Sequence, residues 1–290
     1  MENKDEIIIN VNNPIKAKKK NKKVKQTKKK TKVKKNTKIK NIKEAKNKKK
    51  KKKTAKIVLI IVLFITVCIL LASSEIFNIK KVSVQGLDKL SDKEIVSYSN
   101  IVIGENIFKT NLAKAEYEIE KNPYVKTVEV KRKLPNTILV DIEERKISYM
   151  LQVAESYIYI DAQGYILEIS KEKKEVPVLI GIVTDLSNIQ TGDRLVKEDL
   201  LKFDKVNEIV ETCKSYEIYS FLNRIDISNV SNYILYLESE NKSVHLGNAD
   251  NLNTRMLWLK SIIEQTKDKK GIIFLDMDLN IKKPYFRQEG

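Results

Sequence analysis

Sixteen consecutive residues from Ile57 to Ala72 carry no charge, and the segment before them is the most basic in the chain. Coiled as a helix at 1.5 Å per residue, the run is about 24 Å long. Thr54, Ala55, a snorkelling Lys56 and Ser73-Ser74 extend it to the ~30 Å of a hydrocarbon core. A buried helix of a soluble domain is the competing reading, and it is disfavoured because no polar face interrupts the run. A cleaved signal peptide is disfavoured because a basic region of some fifty residues is far too long for a signal n-region. Residues 57–74 are therefore expected to form one transmembrane signal anchor. Positive charge flanking a first span stays in the cytoplasm, so residues 73–290 are expected outside the cell membrane.

The charge is as uneven as the hydropathy. Of the formal +18, residues 1–56 hold 25 Lys, no Arg and four acids, and the 31 Lys and Arg that remain face 34 Asp and Glu. The part able to fold is faintly acidic, which excludes a basic nucleic-acid-binding globule. Between Lys16 and Lys56 the Lys, Asn and Thr residues offer no apolar face to offset ordering entropy, so the whole tail, residues 1–56, is expected to be disordered. Its natural counter-surface is anionic lipid, at about 1 kcal/mol per Lys near the headgroups. A protein partner is a second reading, and nucleic acid is disfavoured without interleaved aromatics or arginine forks. With two Cys, one of them (Cys68) in the span and the other (Cys213) alone outside, no intramolecular disulfide is expected. One His leaves no Cys/His zinc site, and no cofactor is expected.

Beyond the anchor the hydrophobic periods alternate. Residues 79–85 read as a strand ending at Gly86. Ser91 with Glu94 forms an S-x-x-E capping box that opens a short helix, and Leu112, Ala115 and Ile119 space a second one ending before Pro123. Val125, Val128 and Val130, then Ile138, Val140 and Ile142, give two strands around the turn Leu134-Pro135-Asn136. The order is β-α-α-β-β over residues 75–147.

Residues 148–290 read as a second α+β domain on a mostly antiparallel sheet. A hairpin joins residues 157–160 to 165–169 through Gly164, and a short strand follows Pro177. A helix over 197–215 precedes strands at 224–227, 233–238 and 243–246. Leu252, Met256, Leu259 and Ile263 then line a long helix closed before Gly271, with a strand at 272–275 after it. A last short strand is expected over 281–287, and as the final element it has a sheet edge open to it. Pro284, Lys282 and Lys283 are equally the devices by which edges resist pairing.

These residues resemble a known family. The order β-α-α-β-β just outside a signal anchor is similar to a POTRA domain. Asn122-Pro123-Tyr124-Val125, followed by Val130-x-Arg132-x-x-Pro135-x-Thr137-Ile138-x-Val140-x-Ile142-x-Glu144-Arg145, resembles the bacterial cell-division family FtsQ/DivIB. Val84-x-Gly86 and Gly104-Glu105-Asn106-Ile107-Phe108 add to the match. Farther on come Tyr159-x-Asp161-x-x-Gly164, Val176-Pro177-Val178-Leu179-x-Gly181, Val244-x-Leu246-Gly247 and Phe274-Leu275-Asp276, so the resemblance spans about residues 57–287. Lys146-Ile147-Ser148 departs from the Pro and Ala that often follow the family's Glu-Arg.

The resemblance implies a non-catalytic membrane scaffold of the divisome, concentrated at the septum. It implies small coiled-coil partners of the FtsB/DivIC and FtsL kind and, through them, the septal peptidoglycan synthase. It places the partner strand at Ile281, Lys283, Tyr285, Phe286 and Arg287. For the motif residues Gly86, Pro123, Arg132, Pro135, Glu144 and Arg145, chain geometry and local pairing suffice as roles.

A membrane-anchored cell-wall enzyme is the alternative of a different class, and an outer-membrane export POTRA protein is another. The second needs a β-barrel or tandem modules for which no length remains. For the first, Asp276-x-Asp278 has the form of a metal-binding D-x-D, but two aspartates at a strand end are ordinary turn residues. His245 has no marked nucleophile or orienting acid.

Overall fold

The computed structural model describes residues 27–289, with side chains from residue 48, and the expectation for residues 1–26 lies outside that range. The chain divides into two units, 1–71 and 72–290. In the first, helix α1 runs Thr27–Ala72. Lys48–Ala72 is the one stretch among the described residues long and apolar enough to cross a bilayer. Its one hydroxyl deep in the span is satisfied internally, with Thr66 Oγ1 donating to the Val62 carbonyl at 2.9 Å. Residues 27–56, read from the sequence as a disordered tail, continue this helix on its N-terminal side. Lysine is a good helix former, and extending an existing helix adds a backbone bond for each residue fixed, so no apolar stripe is needed once the span has nucleated.

The second unit begins with the β-α-α-β-β module. Its elements are β1 (Lys81–Gln85), α2 (Asp92–Ser99), α3 (Leu112–Glu120), β2 (Val125–Lys133) and β3 (Thr137–Glu144). The strands lie in the order β1-β3-β2, β1 parallel and β2 antiparallel to β3. The capping box is present: the Ser91 amide donates to Glu94 Oε2 at 2.8 Å and the Glu94 amide to Ser91 Oγ at 3.4 Å. Asn111 caps α3 by accepting from the Lys114 amide at 3.1 Å. Ile95, Ile107, Ile119, Ile138 and Val140, fully buried, form the core between helices and sheet.

The remaining chain builds one nine-stranded sheet. It comprises β4 (Ile147–Val153), β5 (Ser156–Asp161), β6 (Ile166–Ser170), β7 (Val178–Ile180), β8 (Arg224–Asp226), β9 (Tyr233–Leu237), β10 (Lys242–Gly247), β11 (Gly271–Phe274) and β12 (Tyr285–Gln288). The order is β12-β11-β10-β9-β8-β7-β4-β5-β6, and five of its eight pairings are antiparallel. Helices α4 (Lys197–Ser215) and α5 (Leu252–Gln265) bury Phe203, Val206, Ile209, Met256 and Leu259 against one face. On the other face only a small cluster of Met150, Tyr159 and Val178 is covered. Strand β4 has no counterpart in the sequence reading: Ile-Ser-Tyr-Met-Leu-Gln-Val buries Tyr149, Met150 and Leu151 in succession, so both of its faces are covered and the two-residue alternation that marks a strand is missing.

Candidate partner-binding edge

The last strand is shorter than expected. It begins at Tyr285, and Ile281 and Lys283 lie in the connection before it, where Asp278 accepts from the amides of Asn280 through its side chain and of Ile281 and Lys282 through its carbonyl. The reason is local: Asp278 organises a turn that uses the amides an earlier strand start would need, and Pro284 contributes none. Ile281 is left 85% exposed. Lys283 is exposed beside it.

From Tyr285 onward the ladder is regular. Phe274 faces Tyr285, Ile273 faces Phe286, Ile272 faces Arg287 and Gly271 faces Gln288. The Glu289 amide donates to the Lys270 carbonyl at 3.0 Å, so alternate residues 285, 287 and 289 point their main-chain groups at β11. The amides and carbonyls of Phe286 and Gln288 therefore point away from the sheet, along its open edge.

Side chains divide the other way. Phe286 is half buried and packs against the core beneath α5. Tyr285 and Arg287 lie on the opposite, uncovered face. There Tyr285 stacks on Phe274 with centroids 4.8 Å apart and planes at 18°, and Phe274 in turn stacks on His245 at 5.1 Å. The Arg287 guanidinium sits 4.9 Å over the Phe274 ring, and Lys282 Nζ lies 5.0 Å from the Tyr285 centroid. The edge thus carries two outward main-chain donor and acceptor pairs bordered by a three-ring aromatic row and two cations. Sequence reasoning missed Phe274 and His245, because their alignment with Tyr285 depends on strand register rather than on spacing along the chain.

Beneath the edge, Arg255 is buried on α5. Its Nε donates to the Asp250 carbonyl at 2.6 Å and its Nη1 to the Met277 carbonyl at 3.4 Å, which anchors the start of the connection to β12. His245 Nδ1 is 3.3 Å from Asn232 Nδ2, and the Asp278 carboxylate accepts from the Asn280 amide in its turn.

The six motif residues lie elsewhere and hold the framework together. At Gly86 φ is +86°, and a Cβ there would sit 1.9 Å from the Ile142 carbonyl oxygen. Glu144 accepts from the amides of Asp88, Lys89 and Leu90, which pins the loop after Gly86. Arg132 donates to the carbonyls of Ile107 and Thr110 at 2.8 and 2.7 Å. Pro123 follows α3, and Pro135 follows a cis peptide in the β2–β3 turn. Arg145, nearly buried, pairs with Asp161 at 2.8 Å, donates to Gln163 and stacks on Tyr165, joining the end of the first module to the hairpin of the second. None of the six reaches β12.

Comparison with known proteins bears on the whole unit. The family model "POTRA domain, FtsQ-type" matches residues 77–145. A cell division protein DivIB from Clostridium acetobutylicum is 28% identical over 216 residues, which cover 73% of this chain and 84% of that protein. A cell division protein FtsQ from Syntrophotalea carbinolica is 24% identical over 70% of this chain and 71% of its own length. A DivIB from Clostridium botulinum is 26% identical over 70% and 80%. With the FtsQ-type module in place behind one apolar helix, and relatives named FtsQ and DivIB aligned over about 70% of the chain, the chain carries an FtsQ-type POTRA domain and is similar to the FtsQ/DivIB family of bacterial cell-division proteins.

Proposed function

We propose that the protein is a non-catalytic, single-pass scaffold of the division machinery that captures an extended segment of a small division protein along β12. The observation that carries this reading is the open edge of β12, where Phe286 and Gln288 present unpaired main-chain groups beside the exposed ring of Tyr285. A partner strand added there gains main-chain hydrogen bonds, and aromatic side chains on the rim supply specificity. Partners of the FtsB/DivIC and FtsL kind suit the edge, and through them the septal peptidoglycan synthase would be brought to it. Pro284 then ends the accessible edge and sets where a partner strand must stop.

The membrane parts follow from charge. The Lys-rich segment stays cytoplasmic, lies near anionic lipid and keeps residues 73–290 outside, at the septum. The test is recovery of the full chain from membranes. The wild-type protein is expected to bring down a small coiled-coil division protein, and Tyr285→Ala to lose most of it at unchanged protein level. Equal recovery by both would contradict the reading, as would cell-wall hydrolysis by the purified protein.

A further inference from the structure

The first module keeps five large apolar side chains exposed around its first residues. Ile76, Val102, Ile103, Phe108 and Leu134 are between 46 and 63% exposed. Backbone bonds bring them together around residues 76–80. The Ile107 amide donates to the Phe77 carbonyl, the Gly104 amide to Ile79 and the Lys80 amide to Asn136, each at 2.8 Å. The Phe77 and Phe108 rings lie 5.2 Å apart. Asn106 Nδ2 donates to the carbonyl of Ala72, the last residue of the apolar run, at 2.8 Å. That bond holds the loop from Val102 to Phe108 beside residue 72, the first residue of this unit. Exposed lysines at 80, 81, 109 and 133 surround the group, against Glu75 and Glu105.

We propose that this end of the module is a membrane-contact surface, with Val102, Ile103 and Phe108 inserted at the headgroup boundary and the lysines on anionic lipid. Five exposed apolar groups clustered at one end of a small domain call for a covering surface. Ile76 follows the apolar run by four residues, so the surface within reach of this patch is the outer leaflet itself. Apolar side chains ringed by lysines are the pattern by which proteins lie in the bilayer interface. Such seating would hold the module at a set height over the lipid and leave β12 to face partners. The inference rests on residues 57–72 spanning the bilayer.

The test uses the full chain in nanodiscs of phosphatidylcholine and phosphatidylglycerol. Trp258→Phe removes the one native tryptophan. Into that background go Ile103→Trp, Phe108→Trp and, as a control on exposed α4, Leu201→Trp. Replacing the lipid by one brominated high on its acyl chains is expected to quench the probes at 103 and 108 about twofold or more and to leave that at 201 unchanged. Incorporated protein with no quenching at 103 or 108 would overturn the proposal while leaving the span intact. Blue-shifted emission without bromine quenching would do the same, by assigning the cover to protein. Failure of the chain to incorporate at all would overturn the span together with the proposal. If Ile103→Trp does not fold, Phe108→Trp, one aromatic for another, decides the matter.

Discussion

Tyr124 donates its phenolic hydrogen to the Glu168 carboxylate at 2.6 Å, linking the first residues after α3 to strand β6 of the large sheet. Lys89 and Lys174 close on the same carboxylate at 2.9 and 2.7 Å, and Lys89 also touches the Tyr124 hydroxyl and ring face. Burial alone would raise the Glu168 pKa, but the bonds from Lys174, Tyr124 and Lys89 outweigh it and bring it down to about 2. Burial, then the bond to Glu168, raises the Tyr124 phenol above its usual value.

Since the Glu168 pKa is depressed in the folded state, its contribution to stability is complete above about pH 4.5, the ordinary value, and is lost as pH falls toward 2. The shift sets an upper bound of about 3 kcal/mol, which solvent screening lowers toward 1–2. Glu168→Gln should cost that much at pH 7 and almost nothing near pH 2. Denaturant unfolding at both pH values checks the difference, and a constant cost across pH would contradict it.

Gly86 has no room for a side chain. With φ at +86° and the Ile142 carbonyl where a Cβ would lie, Gly86→Ala must shift the parting of β1 from β3. A loss of about 2 kcal/mol or more is expected in thermal or chemical unfolding of the full chain in detergent. A melting temperature equal to wild type would show that the turn relaxes freely.

Asp199 is wholly buried in the first turn of α4 and accepts from the Val183 and Thr184 amides and from Thr184 Oγ1, the last at 2.6 Å. Burial opposes its ionisation, yet these bonds and Lys202 hold its pKa below the ordinary value. Asp199→Ala strands three donors and should destabilise by about 2–4 kcal/mol. Protease sensitivity should rise first in the 182–196 connection, which mass spectrometry of the early fragments would reveal.

How much of this was legible in the sequence depends on whether one local rule or several distant ones were needed. The Ser91–Glu94 box, the stop at Gly86 and the stripe Met256, Leu259 and Ile263 are local patterns, and the structure has them where the spacing put them. Strand β4 was not legible because both its faces are covered, and helix over residues 27–56 because propagation from the span, not residue pattern, sustains it. At the edge, the position of the last strand was readable from chain order. Its start was not, since Asp278 takes the amides of Ile281 and Lys282 for a turn. The side chains that border it, Phe274 and His245, join Tyr285 only through the registers of β10 with β11 and β11 with β12. Phe286, expected to contact a partner, is also half buried against the core, so its truncation would confuse binding with folding.

Capture along β12 is tested most directly by amide hydrogen exchange at single residues, with and without a soluble form of the division partner. Phe286 and Gln288 point their amides outward, whereas Arg287 and Glu289 already point theirs at β11. Partner binding should slow exchange at Phe286 and Gln288 by about tenfold or more and change Arg287 little. Gln288→Pro, which removes an outward N–H and no bond to β11, should abolish the protection at Phe286 while unfolding stability stays near wild type. Unchanged exchange at Phe286 and Gln288 under saturating partner would place the binding surface away from this edge.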